Sequence, residues 1–336
     1  MAEAADALDV VIVGGGPCGL AAAIALKQAG LDAVVLERSC VVSSIAGYPT
    51  YMTFFSSPEK LSIGGLPFVI AGEKPTRRDA LAYYRSTVEY FHLALRQYES
   101  VEQIERAPDG WVVHSLTQAG EARRTHAGAV VIATGYFGSP NRIGAPGEDL
   151  PHVTHHFREG HEAFQQDVVV VGGGNSAAEA ALDLYHVGAR VTLVHAFENL
   201  DKGIKPWVIP DLQNRIKEGK IQGRWNSRVA EITPCEVVLE TPDGEERLPA
   251  EHVYLMTGYT PNSELLVQLG VPIDPESGVP AHDPATMETP VAGVFVAGVL
   301  ASGFDANKIF IENGRDHGSR IAAALTGERP RRPAHR

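Results

Sequence analysis

No Cys-x-x-Cys occurs anywhere in this chain, and its 336 residues hold only three cysteines, Cys18, Cys40 and Cys235. They are too few and too scattered for a disulfide framework, so a small stapled secreted scaffold is excluded and a reducing cytoplasm is the expected compartment. No apolar run approaches the ~20 residues of a membrane-spanning helix, and Met1 to Asp9 lacks the basic segment of a signal peptide. Positive charge is in deficit. Lys and Arg number 29 against 41 Asp and Glu, a formal net charge of −12, which argues against nucleic acid or an anionic membrane as the partner. His152, His155, His156 and His161 fall in one Gly/Pro-rich stretch without a cysteine and without paired helical spacing. No metal site is expected there.

What remains is ordinary globular composition and, from length, about two domains. Two segments repeat one pattern. Asp9-Val-Val-Ile-Val-Gly-Gly-Gly-Pro-Cys-Gly-Leu20 and Asp167-Val-Val-Val-Val-Gly-Gly-Gly-Asn-Ser-Ala-Ala178 each join a β-branched run to glycines and then to an Ala/Leu-rich helical stretch. Each reads as a buried parallel strand, a tight turn and a helix. A second strand follows each, Ala33 to Glu37 and Arg190 to His195. The fold class predicted is α/β, two doubly wound, Rossmann-like dinucleotide-binding domains. Further strands end at Ala133-Thr134-Gly135, Met256-Thr257-Gly258 and Ala297-Gly298, the last leading to a helix over Ile309 to Leu325. Gly/Pro-rich stretches after Gly135 and Gly258 suggest crossings between domains. The second domain, 139–264, is therefore expected as an insertion in the first, 1–138 and 265–330, with a frayed Pro/Arg-rich tail at 327–336.

The glycines carry the chemistry. In Gly14-x-Gly16-x-x-Gly19 the first glycine permits the turn, the second lets a pyrophosphate approach, and the third lets helix pack on strand. The helix N-terminus, with Pro17 in its first turn, presents free N–H groups to phosphate. Glu37, followed by Arg38, ends the next strand, where a carboxylate accepts ribose hydroxyls. The second copy is Gly172-x-Gly174-x-x-Ala177, with Asn175 and Ser176 opening its helix. His195 stands as far beyond Gly172 as Glu37 stands beyond Gly14. An imidazole there does not repel a 2′-phosphate as a carboxylate would, and Lys202 and Lys205 follow, so NADPH is favoured over NADH. Two dinucleotide sites in one chain point to a flavin in one and a nicotinamide in the other. FAD is assigned to the N-terminal domain, completed by Thr134, Gly135, Gly298, Lys308 and Ile309; the second domain, with Gly258, takes NADPH.

These residues resemble the two-dinucleotide flavoproteins of the low-molecular-weight thioredoxin-reductase type, although the redox dithiol is missing and Gly298-Val299 replaces the usual Gly-Asp. A closer resemblance, over nearly the whole chain, is to the bacillithiol-disulfide-reductase family. It rests on Gly14-Gly-Gly-Pro-Cys-Gly19, Tyr48-Pro-Thr50, Thr53-Phe-Phe-Ser-Ser57, Lys60-Leu-Ser-Ile-Gly64, Ile204-Lys-Pro-Trp207 and Asp305-Ala-Asn-Lys-Ile-Phe-Ile-Glu-Asn-Gly314. The resemblance implies FAD, NADPH and reduction of bacillithiol disulfide to two thiols, with Cys18 as the redox residue. It also implies a homo-oligomer and a bacilliredoxin-type protein partner. Cys18 near a helix N-terminus is drawn toward thiolate, while a bound pyrophosphate opposes it; a small packing residue is the other reading. Bacillithiol carries malate carboxylates, so Lys60, Arg77, Arg78, Lys308 and Arg315 are candidate contacts, and Tyr48, Phe54 and Phe55 candidate neighbours of the flavin. The alternatives are a ferredoxin or flavodoxin NADP reductase of the same fold, which requires a protein acceptor, a flavin monooxygenase, and a redox sensor with negligible turnover.

Overall fold

The computed structural model describes residues 8–327. The expected tail beyond Gly327, and nearly all of the N-terminal segment read for a signal, lie outside the described residues. The chain divides into two compact units. Unit 1 takes residues up to Ala46, Thr53–Ser139 and Thr260 onward; unit 2 takes Gly47–Met52 and Pro140–Tyr259. The crossings at 139/140 and 259/260 stand beside the expected 138/139 and 264/265. The assignment of Gly47–Met52 to unit 2 has no counterpart in the sequence reading.

Unit 1 opens with β1 (Leu8–Val13), α1 (Pro17–Gln28) and β2 (Ala33–Glu37), then α2 (Ser43–Gly47), α3 (Pro58–Leu61) and α4 (Arg77–Tyr90). Thr76 and Asp79 close a capping box at the start of α4, which satisfies two backbone donors of its first turn. Next come β3 (Ala94–Gln97), β4 (Glu99–Ala107), β5 (Gly110–Thr117) and β6 (Ala122–Ile132). β1 is buried from Val10 to Val13 because both sheet faces are covered, the reason its sequence is a β-branched run and not an alternation. β1 pairs in parallel with β2 and β6, and β2 with β3. β4, β5 and the first half of β6 form an antiparallel meander.

Unit 2 repeats the plan with β7 (Val153–Thr154), β8 (Asp167–Val171), α5 (Asn175–His186), β9 (Arg190–Val194), α6 (Ile209–Lys217) and β10 (Ile221–Arg224). The antiparallel strands β11 (Arg228–Ile232), β12 (Glu236–Thr241) and β13 (Gly244–Pro249) precede β14 (His252–Leu255). The parallel sheet runs β10-β9-β8-β14-β7, and β11-β12-β13 is separate. Thr50 ties its segment into this unit, its N–H donating to the Arg158 carbonyl at 3.0 Å and its hydroxyl to Glu159 at 2.7 Å.

The chain returns to unit 1 with α7 (Glu264–Gln268), β15 (Val294–Val296), α8 (Ile311–Gly314) and α9 (His317–Thr326). β15 adds to the free edge of β6. The doubly wound reading holds for both parallel sheets, and an antiparallel three-stranded element accompanies each. The strand expected to reach Gly135 stops at Ile132. The helix expected over Ile309–Leu325 is two helices, interrupted after Gly314, which lies buried against Cys18. Gly318 brings α9 onto α1: a Cβ there would stand 2.5 Å from the Ala22 Cα. The unit 1 core includes Val11, Ile12, Val35, Val131, Phe295 and Ile321, each at most 1% exposed. Each such side chain contributes about 1.5–3 kcal/mol by leaving water.

Candidate cofactor sites

In unit 1 the glycine loop connects the end of β1 to α1. Gly14 has φ +112°, and a Cβ there would stand 2.5 Å from the Ala133 carbonyl oxygen, so only glycine lets β1 and the end of β6 approach. A Cβ on Gly19 would run into the Gly14 carbonyl oxygen. Around Gly16, by contrast, nothing lies within 4 Å of a Cβ position. Gly16 is the N-cap of α1, Pro17 follows it, and no side chain caps the helix. The first intrahelical bond is from Leu20 to Gly16, which leaves the N–H groups of Cys18 and Gly19 for an anion. Open space over one glycine and bare donors beside it fit a dinucleotide pyrophosphate.

Glu37 is 5% exposed. Its Oε2 accepts from the Gly15 N–H at 2.7 Å, and its Oε1 from the Ser39 N–H at 2.9 Å and the Ser43 hydroxyl at 3.3 Å. A carboxylate has about four acceptor positions, so one on Oε2 is left for a ribose hydroxyl. Its main task is to hold the loop itself, which spacing did not reveal. Arg38 is exposed and lies across Gly138. Thr134 is exposed, and Gly135 turns with φ +67°.

Cys18 lies between Gly298 and Gly314. Its Sγ would be 3.2 Å from a Cβ on Gly298 and 2.8 Å from one on Gly314. Burial, and then the negative charge of Glu312, push the thiol up to about 12. Burial and Glu312 thus oppose the pull of the helix N-terminus toward thiolate. The Gly298 N–H donates to His317 Nδ1 at 3.1 Å. His317 is 5% exposed, and burial, then the charges of Arg320 and His282, lower it to about 4. Its ring is neutral at pH 7 and accepts that bond. His317 carried no sequence signal, and Glu312 stood only within the Asp305–Gly314 stretch; both act across long separations. Lys308 is exposed, 3.6 Å from Asp305, and Ile309 packs beside Gly314.

The five candidate substrate cations separate. Arg77 is committed to the Ile45 and Ala46 carbonyls at 3.1 and 2.5 Å. Arg315 is committed to those of Glu59 and Ser62 at 2.8 and 2.6 Å. Lys60, Arg78 and Lys308 are exposed. Phe54 is buried, while Phe55 is exposed.

Unit 2 repeats the loop with different contents. Gly172 has φ +142°, and a Cβ there would strike the Met256 carbonyl. Gly174 is the N-cap of α5, again without a side-chain cap, which fits a second dinucleotide. Where the first copy needs Gly19, Ala177 is accepted and buried. His195 is turned inward at the strand end. It is 5% exposed, and its ring covers Gly173 so closely that a Cβ there would overlap it. Phe197 and Trp225 meet that ring edge-on, at 5.4 and 6.4 Å between centroids. The Lys205 ammonium donates to Glu179 at 2.8 Å, and its N–H to the Asn175 side chain at 3.3 Å. Lys202 and Ser176 are exposed. Gly258 turns with φ +85° and accepts from the Asn141 N–H at 3.0 Å. Among the described residues no three His, Cys, Asp or Glu side chains gather as metal ligands, and no helix is long and apolar enough to cross a membrane.

The pyridine nucleotide-disulphide oxidoreductase family matches residues 11–298. Bacilliredoxin reductase Bdr of Bacillus subtilis is 46% identical over 94% of this chain and 96% of its own. The solved bacillithiol disulfide reductase Bdr of Bacillus cereus superposes with TM-score 0.92 at 41% identity, over 96% of this chain and 99% of that one. The Staphylococcus aureus protein of the same name superposes with TM-score 0.88 at 38% identity, over the same shares.

Proposed function

Because this chain belongs to the pyridine nucleotide-disulphide oxidoreductases, we propose that it uses NADPH and FAD to reduce a low-molecular-weight disulfide, bacillithiol disulfide, to two thiols. The observation that carries this reading is the pair of uncapped glycine loops in a chain without any Cys-x-x-Cys. One loop suits each dinucleotide, and no built-in dithiol relays electrons onward. When bound, the flavin supplies the exchange between a hydride donor and a disulfide. The chain's residues do the holding. The α1 N-terminus and Gly16 receive the FAD pyrophosphate, Glu37 keeps the loop in shape and offers its remaining acceptor position, and the α5 N-terminus receives that of NADPH. Arg38, Thr134, Gly135, Gly298, Lys308 and Ile309 complete the FAD site. Asn175, Ser176, Ala177, His195, Lys202 and Gly258 line the NADPH site.

Cys18 is the redox residue within this proposal, under a stated condition. The thiol is protonated at neutral pH in the chain without ligands, so it must lose that proton before attacking a disulfide sulfur. Attack forms a mixed disulfide at Sγ and releases one thiolate. Two electrons originating in NADPH then restore Cys18 and release the second. The sum consumes one NADPH, one proton and one disulfide. Gly298 and Gly314 must yield to admit the second sulfur. The same reading puts the enzyme in a reducing cytoplasm as a homo-oligomer, and a bacilliredoxin-type protein is a second acceptor to assay.

The test is anaerobic NADPH consumption by the FAD-loaded protein with bacillithiol disulfide, while free thiols are counted. About two thiols per NADPH are expected. Flavin reduction without thiol release would overturn the disulfide assignment. Full turnover by Cys18→Ala with FAD bound would remove Cys18 from the mechanism and leave the rest standing.

A further inference from the structure

Asp201 stands at the mouth of the second glycine loop. Its Oδ2 lies 3.3 Å from the position a Cβ on Gly174 would occupy, at the uncapped start of α5, a helix of 12 residues. Its own N–H donates to the Gly173 carbonyl at 3.0 Å, which pins the residue over the loop. The side chain beyond that anchor is 54% exposed and can turn into water. A carboxylate in this place is attracted by the unpaired N–H groups of the helix start, as a phosphate would be.

A second observation points to the same spot. His195 Nε2 is buried and makes no hydrogen bond. The Asp201 Oδ1 is 3.8 Å away, beyond hydrogen-bond range. The ring cannot turn to find another partner, since Gly173 lies beneath it and Phe197 and Trp225 stand against it. A buried polar nitrogen held without a partner is costly, and this one lies beside the loop.

We propose that Asp201 is a resident counter-anion of the nicotinamide-nucleotide site. In the free chain its carboxylate covers the start of α5. The dinucleotide enters by displacing it, because two anions a few ångströms apart repel. Its departure leaves His195 Nε2 able to pair with the incoming nucleotide. Asp201 thus sets the threshold for nucleotide binding, and the pyrophosphate, common to NADH and NADPH, is what it competes with. This rests on the reading that unit 2 binds a nicotinamide dinucleotide.

The experiment is calorimetric titration of the FAD-loaded full chain with NADP⁺ and, separately, NAD⁺, so that no turnover intervenes. Asp201→Asn should tighten both nucleotides by the same factor, about fivefold or more at low salt, and the gain should shrink in about 0.5 M salt. Asp201→Glu, which keeps the charge, should recover most of the wild-type weakness. Unchanged or weaker binding in Asp201→Asn overturns the proposal. So does tightening confined to NADP⁺, which would put the carboxylate against the 2′-phosphate instead. If wild type and Asp201→Asn both bind neither nucleotide, the nicotinamide reading of unit 2 falls and the proposal falls with it. Wild-type binding without a gain in Asp201→Asn sinks the proposal alone.

Discussion

The two glycine loops share a backbone and differ in what closes them. In unit 1 the loop is sealed from within. Gly19 abuts the Gly14 carbonyl, and Glu37 ties Gly15, Ser39 and Ser43 together. In unit 2 the equivalent helix position tolerates Ala177, and the equivalent strand-end residue, His195, fills space and leaves Nε2 unpaired. One loop is braced by hydrogen bonds to its strand-end side chain before any ligand arrives, and the other is not. That difference suits a cofactor that stays in the first case and a nucleotide that comes and goes in the second.

The largest test of this contrast is at the third position of each motif. Gly19→Ala should cost about 3 kcal/mol or more, because a backbone carbonyl has no room to yield. The mirror change Ala177→Gly should cost about 1 kcal/mol, the ordinary helix penalty. Chemical denaturation of both variants decides it, and similar losses of about 1 kcal/mol would mean the loops are equally tight.

Acid should weaken unit 1 through His317. His317 is neutral in the folded state, with its pKa lowered from 6.5 to about 4. Below the unfolded value the unfolded chain binds the extra proton, so stability falls as pH drops from about 6.5 toward 4 and is fully present above that window. The full loss is of order 3 kcal/mol. Melting followed by flavin release across that range should show the slope, and His317→Gln should flatten it. An unaltered slope in the variant would shift the acid sensitivity elsewhere.

A smaller effect separates the strand-end residues. Glu37→Gln turns an amide donor toward groups that already donate and should cost about 2 kcal/mol. His195→Leu fills similar space and removes an unpaired nitrogen, so it should cost less than about 1 kcal/mol while weakening NADP⁺ binding. Equal destabilisation in the two variants would erase the distinction between a sealed loop and an open one.

Much of this was legible in the sequence where local pattern and position coincide. The β-branched runs at Val10–Val13 and Val168–Val170 are strands because they are buried on both faces. The glycine spacing marked two strand-to-helix turns, and both turns formed. The meanders were not legible. β13, Gly-Glu-Glu-Arg-Leu-Pro, is mostly exposed and earns its place by pairing with β12. Nor did the helix over 309–325 show its break after Gly314, where the chain meets Cys18 from its other end. The same distance explains Cys18 itself. Its neighbours in sequence argue for a thiolate, while its neighbours in space remove water and raise the thiol. Asp201 was silent because its position over Gly174 comes from a loop path, not a motif.

The order in which ribosomes deliver this chain matters to how it is built. β15, which pairs with β6 in unit 1, begins at Val294, whereas the last strand of unit 2, β14, ends at Leu255. Every strand of unit 2, and the Thr50 segment that belongs to it, has emerged before unit 1 can acquire its final strand and α9. The inserted unit can therefore fold first, during synthesis. The edge of β6 meanwhile waits unpaired, and an open parallel edge is a surface that invites wrong partners. Translation slowed or halted between 255 and 294 would leave a nascent chain with one finished dinucleotide-binding half and one exposed sheet edge, which is the state a chaperone would have to shield.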